Sequence, residues 1–337
     1  MCVIRRLNFY EKFIIVTIAN FKSSTKNDLV IKQAILIVWI MLLMACNGGG
    51  GADNPSSDQT IPLTISCTYV NWIQGVNYPI GAIVKYVPNG FFYKALQAGA
   101  NGSNGTNPTI SSFYWGPTEC FTAPQGTSKA FIVTEVQFNQ MFPPANRHPL
   151  YTYAGLVSAM RYYPGFSTTG TDTVRKQEAA AFLANVAHES DFLEVAKEYD
   201  TSKYPLYCSA GVGKCGGKEY YGRGPIQLSW DYNYAEAGQA IGIDLLNYPE
   251  LVATDPAITW RTALWYWMTG TGSAGTTSHK AMINSSGFGI TIKAIDGDLE
   301  CGATVGTLPY EQMQDRVKNY TRFTTIIGVP TGGGLTC

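Results

Sequence analysis

The chain has 337 residues, with 24 Lys and Arg against 24 Asp and Glu, so its formal net charge is zero and only 14 % of its residues are charged. A phosphate backbone calls for a basic face, so this balance argues against nucleic acid as a partner. The length allows two domains of ordinary size.

Residues 34–45, AILIVWIMLLMA, form an apolar run after Lys32 that is too short to span a bilayer and suits the core of a signal peptide. The run ends Leu43-Met44-Ala45-Cys46, which resembles a bacterial lipobox, cleaved before a cysteine that becomes lipidated. That resemblance implies a lipoprotein anchored at Cys46. With Asn47 and not Asp after the cysteine, it implies an outer-membrane or surface location. The alternative is ordinary signal cleavage and secretion, with Cys46 left as a spare thiol. Residues 1–45 are thus read as a leader, although its first 31 residues are long for an n-region and hold a second apolar patch, Phe13–Ala19. Residues 46–60, with Gly48–Gly51 followed by ADNPSSD, read as a flexible linker with no means of packing a core.

Residues 61–121 alternate short β-like runs (IPLTISCTYV, AIVKYV, GFFYKAL) with turns (NYPIG, PNG, NGSNGTNP), which predicts a small all-β module. About sixty residues make a marginal core, so a bridge across the module makes physical sense. Of eight cysteines, six fall into local pairs, and with an export signal in front they suggest disulfides in an oxidising compartment. Six cysteines allow fifteen pairings. Nearest neighbours, Cys67–Cys120, Cys208–Cys215 and Cys301–Cys337, are the expected set.

Residues 130–337 show few convincing strands, which predicts a mainly α-helical domain with long loops. Asp172–His188 has a helical pattern with Asp172 or Thr173 as its cap and Phe182, Leu183 and Val186 on one stripe. Trp260, Leu264 and Trp267 recur at helical spacing before Gly270 and read as core. Pro309 to Ile327 is a further helix with Met313, Val317, Tyr320 and Ile327 inward and Gly328 at its end.

The candidate chemistry lies in residues 182–229. Glu189 ends the helical run, and Glu198 follows in a polar, Tyr-rich segment. Two carboxylates in unlike surroundings are the minimum equipment for hydrolysing a glycosidic bond, one protonated to serve the leaving oxygen and one charged to activate water. The Tyr and Trp content fits stacking on sugar rings, although core filling explains most aromatics in any protein. No HExxH or CxxC pattern is present and there are only three histidines, so no metal site is expected.

His188-Glu189-Ser190, Tyr220-Tyr221-Gly222-Arg223-Gly224-Pro225-Ile226-Gln227-Leu228-Ser229, Tyr232-Asn233-Tyr234, residues 240–246, residues 251–255 and residues 264–268 together resemble glycoside hydrolase family 19 chitinases, in their compact bacterial form. The resemblance runs over about 200 residues and implies a lysozyme-like helical domain that cleaves chitin or chitooligosaccharides with inversion, without a cofactor and as a monomer. It places the general acid at Glu189, the general base at Glu198 and the residue holding the attacking water at Ser229. It places sugar contacts at Gln227, Tyr232 and Asn233, with His188, Glu300 and Arg316 beside the acid. Arg316, taken by its spacing alone, reads as a solvated helix charge. Asp296 departs from the Asn usual in the family, and a carboxylate there either opposes ionisation of the acid or weakens a sugar hydrogen bond.

The 61–121 module, through Trp72, Tyr78-Pro79, Tyr86, Tyr93-Lys94-Ala95, Asn107-Pro108 and Trp115, resembles chitin-binding modules of carbohydrate-binding families 5 and 12. Leu96-Gln97 stand where members often carry a Trp pair, which leaves Trp72, Tyr93 and Trp115 as the candidate stacking residues, or else as core. Two rival readings are a peptidoglycan-cleaving lytic enzyme and a surface chitin-binding protein without activity.

Overall fold

The structure is a computed structural model that describes residues 64–65, 67–99, 107–118, 120–122 and 130–337. The leader 1–45 and the linker 46–60, with the lipidation candidate Cys46, lie outside the described residues, as does most of the NGSNGTNP turn.

The N-terminal part is built from β1 (Thr64–Ile65), β2 (Val70–Asn71), β3 (Ile83–Lys85), β4 (Phe92–Ala95), β5 (Trp115–Pro117) and β6 (Phe121–Thr122). The order β2-β3-β4-β5 makes a four-stranded sheet, parallel between β2 and β3 and antiparallel thereafter, while β1 pairs with β6. Strand β4 sets Val84 opposite Tyr93 and Ala95 opposite Trp115. Cys67–Cys120 closes the module, with Cα atoms 5.1 Å apart.

Here the structure corrects two of the three stacking candidates. Tyr93 and Trp115 are fully buried, forming the module's core with Tyr78, Val84 and Ala95, and Trp72 is half-buried edge-on to Tyr86. A core of this size has no larger side chains to fill it, so its big aromatics go inward.

The remainder is helical: α1 (Glu135–Met141), α2 (Tyr153–Met160), α3 (Asp172–Glu189), α4 (Asp231–Ile241), α5 (Pro256–Thr269), α6 (Ser278–Ile283), α7 (Phe288–Glu300) and α8 (Leu308–Ile327). Helix α3 is the axis of the domain, and α8 lies along it. Every residue of α3 from Glu178 to Ala187 is buried, a helix enclosed all round. Its cap is Thr171, ahead of both expected positions, Asp172 and Thr173, and accepts from the Val174 amide at 3.3 Å. Helix α5 starts at Asp255 and Pro256, and its Trp260, Leu264 and Trp267 are core as expected. Helix α8 ends at Gly328 in the left-handed region, with Met313, Tyr320 and Ile327 buried and Val317 packed against the core. The other two bridges are Cys208–Cys215 and Cys301–Cys337. The latter ties the C-terminal tail to the end of α7 and contributes roughly 3–4 kcal/mol on a chain-entropy account. Among the described residues no helix is long and apolar enough to cross a membrane.

Candidate active site

Glu189 is the last residue of α3, and the chain behind it reverses at once. Asp191, Phe192 and Leu193 all have positive φ (47°, 56° and 65°), three side-chain-bearing residues in the left-handed region in succession. The Ser190 hydroxyl donates to Val186 O at 2.6 Å and accepts from the Leu193 amide at 3.1 Å, while the Phe192 amide reaches Ala187 O at 2.7 Å. These bonds hold a conformation that no glycine relieves.

The reversed segment carries Glu198 back alongside residues 222–228. The Glu198 amide donates to Gly222 O at 2.8 Å, the Gly224 amide donates to Ala196 O at 2.9 Å, and Arg223 pairs with both Lys197 and Leu228. Glu198, the Gly222-Arg223 turn and Leu228-Ser229 are thereby stitched side by side. Gly224 has φ +76°, and a Cβ there would meet Val252 and Thr259 at 3.1 Å. Arg223 is a scaffold residue: it is 5 % exposed, lies over the Tyr221 ring at 3.5 Å and donates to Tyr234 OH at 2.9 Å.

The two carboxylates sit in unlike settings. Arg316 donates to Glu189 Oε1 through Nη2 at 2.5 Å and to Glu300 Oε1 through the same nitrogen at 2.7 Å. Its Nε spans both Glu300 oxygens at 3.0 and 2.9 Å, and its Nη1 meets Asn185 Oδ1 at 3.2 Å. Asp296, at a kink in α7 with φ −137° and ψ 27°, is 3.8 Å from Nη2. One guanidinium thus faces three carboxyl groups. Burial opposes the charge on Arg316, but Glu189 and Glu300 outweigh it and hold the guanidinium ionised. Burial, then repulsion from Glu189, push Asp296 up to about 7 against the pull of Arg316. His188 belongs to the same network, with Nδ1 2.9 Å from Asp315 Oδ2 and Nε2 3.9 Å from Glu300. That contact with His188 holds the Asp315 carboxyl below its usual range.

Glu198 has a neutral partner. Tyr207 donates to Glu198 Oε2 at 3.0 Å, and burial together with this bond pushes the phenol up to about 12. Tyr204 OH donates to Glu198 O at 3.0 Å while its ring stacks on Tyr221 at 3.5 Å.

Residues 132–337 match the family described as chitinase class I. The chain belongs to that family. It is 31 % identical over 339 residues to endochitinase A2 of Pisum sativum, covering 91 % of this chain and 92 % of that protein. Among solved structures, a bacterial family 19 chitinase shares 53 % identity with a TM-score of 0.57, covering 61 % of this chain and all of that one. Chitinase C from Streptomyces griseus HUT6037 shares 49 % identity with a TM-score of 0.58, covering 63 % of this chain and 100 % of that chain. The helical, lysozyme-like fold is that of family 19 chitinases.

Within this chitinase fold, His188, Glu189, Asp296, Glu300 and Arg316 form one network. Arg316, 1 % exposed, is no solvated helix charge. The other positions gather around the 220–233 segment. Gln227, at φ +48°, donates to Gly224 O at 2.9 Å, and Asn233 donates to Ser229 O at 2.9 Å. Tyr232 is 42 % exposed and stacks on Trp230, itself held at φ +74°. Sequence reasoning missed Tyr207, Asn185, Asp315 and Trp230. Tyr207 lies in the Tyr-rich run after Glu198, and its nine-residue spacing from Glu198 carries no periodic signal. Cys208, Cys215 and Asp231 also cluster, but the cysteines are bridged and Asp231 accepts from Ser209 N at 2.9 Å and Oγ at 2.6 Å.

Proposed function

We propose that this chitinase cleaves the β-1,4 bond between N-acetylglucosamine units by single displacement with inversion. Glu189 gives its proton to the glycosidic oxygen as the bond to the anomeric carbon breaks. A water attacks the opposite face of that carbon, and Glu198 takes the proton it sheds. Ser229 holds the water, and Gln227, Tyr232 and Asn233 bind the sugar chain. The observation that supports this division of labour best is the contrast between the two carboxylates. Glu189 shares a guanidinium with Glu300 and Asp296, in a cluster where burial and repulsion from Glu189 favour the protonated form of Asp296, whereas Glu198 is met by the Tyr207 phenol and, among the described residues, by no cation.

Proton NMR of the first products from a soluble chitin oligomer tests this. The α-anomer is expected initially, and Glu189→Gln should abolish turnover while retaining oligomer binding. Initial β-anomer would remove Glu198 from the base role. Cleavage of cell walls but not chitin would move the substrate to peptidoglycan.

The module at residues 61–121 is proposed to bind chitin through Phe113 and its neighbour Tyr114, in place of the buried candidates. Phe113 is 66 % exposed and packs edge-on against Tyr114 at 5.0 Å. Loss of pull-down on chitin by Phe113→Ala is the expected result. The chain is further proposed to be an exported lipoprotein anchored at Cys46, tested by incorporation of labelled palmitate that Cys46→Ser removes.

A further inference from the structure

We infer that the β-module is a buttress of the active-site segment 218–230, acting through residues 243–252, and therefore supports hydrolysis even of soluble oligomers that need no anchoring. The inference rests on the reading that Gln227 binds the sugar chain and Ser229 holds the attacking water. It begins at Asp244, a carboxylate that is 2 % exposed. Asp244 accepts from two groups of the module, Tyr93 OH and Asn89 Nδ2 (3.2 Å), and from two of its own loop, the Asn247 amide (3.1 Å) and Asn247 Nδ2 (2.8 Å). Two of the four hydrogen bonds to this buried carboxyl group therefore come from the module. Tyr248 reinforces the seam: it sits in the module's apolar core beside Tyr93, and its hydroxyl donates to Pro108 O at 3.0 Å.

The opposite side of the same loop faces the active-site segment. Tyr220 OH donates to Leu246 O at 2.9 Å, Lys218 Nζ donates to Asn247 O at 2.7 Å, and Val252 packs against Gly224. Helix α4 closes the third side, where Gly238 lies so near that a Cβ would stand 2.5 Å from Ile243 O. Tyr220 is in turn the acceptor for the Trp230 amide at 2.8 Å, next to Ser229. The loop is thus held between module, α4 and active-site segment. Withdrawing the module's donors leaves a buried carboxylate under-solvated, and the least disruptive response is for the loop to shift toward water. Such a shift carries Leu246 and Asn247, and with them Tyr220 and Trp230.

The test uses the full chain with Tyr93→Phe, which removes one hydroxyl and keeps the module's core filled, and with Tyr248→Phe as a second, milder break of the seam. Both variants are assayed on the soluble N-acetylglucosamine hexamer at 25 °C, with thermal unfolding recorded alongside. The buttress requires kcat to fall roughly 3- to 10-fold in Tyr93→Phe and less in Tyr248→Phe, with KM changed less than kcat. It also requires faster hydrogen exchange at amides 220–230. A lowered Tm with kcat, KM and exchange at 220–230 unchanged in both variants would overturn it, because the module would then be only a stabiliser. Should Tyr93→Phe not fold, Tyr248→Phe decides the question by the same readings. Wild-type chain inactive on the hexamer would instead remove the chitinase reading, and the inference with it.

Discussion

Arg316 bonds Glu189 through the same nitrogen that serves the buried Glu300, so the two N–H groups of Nη2 tie the two carboxyl groups together. Glu300 takes the planar, two-pronged share, from Nε and Nη2, which only a guanidinium can supply. Arg316→Lys keeps the charge but cannot span Glu300 while reaching Glu189. Its kcat on the hexamer should fall on the order of 100-fold with a smaller change in KM. Arg316→Met strands a buried carboxylate and should also lower stability by roughly 3–5 kcal/mol, measured by urea unfolding.

Asp296 makes the cluster pH-sensitive. Its carboxyl is raised to about 7 in the folded chain, above its unfolded value. The folded state therefore holds this proton more tightly than the unfolded state does. The stability linked to it is fully present below the unfolded value and is lost as pH rises toward 7. Asp296→Asn cannot lose a proton, so it should match wild type in Tm near pH 4 and exceed it near pH 8. Because the side chain is 40 % exposed, solvent screening reduces the expected gain to about 1 kcal/mol. An inflection near pH 7 in wild-type kcat/KM should vanish in the variant. A Tm difference that does not change between pH 4 and pH 8 would count against this account.

Tyr207 offers a cleaner probe of the base role proposed for Glu198. Its phenol, raised to about 12, remains a neutral donor across the working range, so it adds no ionisation of its own to the pH profile. Tyr207→Phe removes one bond to Glu198 without removing the ring that packs edge-on to Trp230. A loss in kcat of about 10-fold, with Tm shifted only slightly, is expected from one charged-acceptor hydrogen bond. Unchanged kcat would show that Glu198 needs no such orientation.

What could be read from the sequence follows from how local each signal is. The HES and YYGRGPIQLS runs are contiguous, so Glu189, Gln227 and Ser229 stood out, and the long helices declared themselves by period. Arg316 was placed beside Glu189 by the family resemblance alone, because its partners Glu189 and Glu300 lie 127 and 16 positions away and nothing in the spacing of α8 distinguishes it from an outward charge. The left-handed run Asp191–Leu193 contains no glycine and is imposed by Ser190 and the helix end. Tyr93 and Trp115 were sugar-platform candidates through the resemblance to chitin-binding modules, but a motif match does not say which face of the sheet a side chain takes, and here both lie in the core.

Glu178 is the plainest case of a residue whose sequence setting conceals its role. It lies in the first half of α3 after RKQ, which reads as a solvated face, yet it is fully buried. Its Oε1 is 2.6 Å from His279 Nδ1 and accepts from Trp267 Nε1 at 3.1 Å, while Oε2 accepts from the Ser167 amide at 2.9 Å. One carboxylate therefore ties α3 to α5 and α6 and fixes Ser167, itself at φ +53°. Glu178→Leu leaves these groups without their acceptor in the core and should cost about 3–5 kcal/mol. For a domain of this size that lowers Tm by roughly 6–20 °C, measured by calorimetry. Glu178→Gln retains an acceptor and should fall between the two. Because Glu178 bonds none of the active-site residues, kcat of the folded Glu178→Gln enzyme at 25 °C should stay within about twofold of wild type. A large kcat loss with Tm unchanged would mean that this core network reaches the site by a route its hydrogen bonds do not reveal.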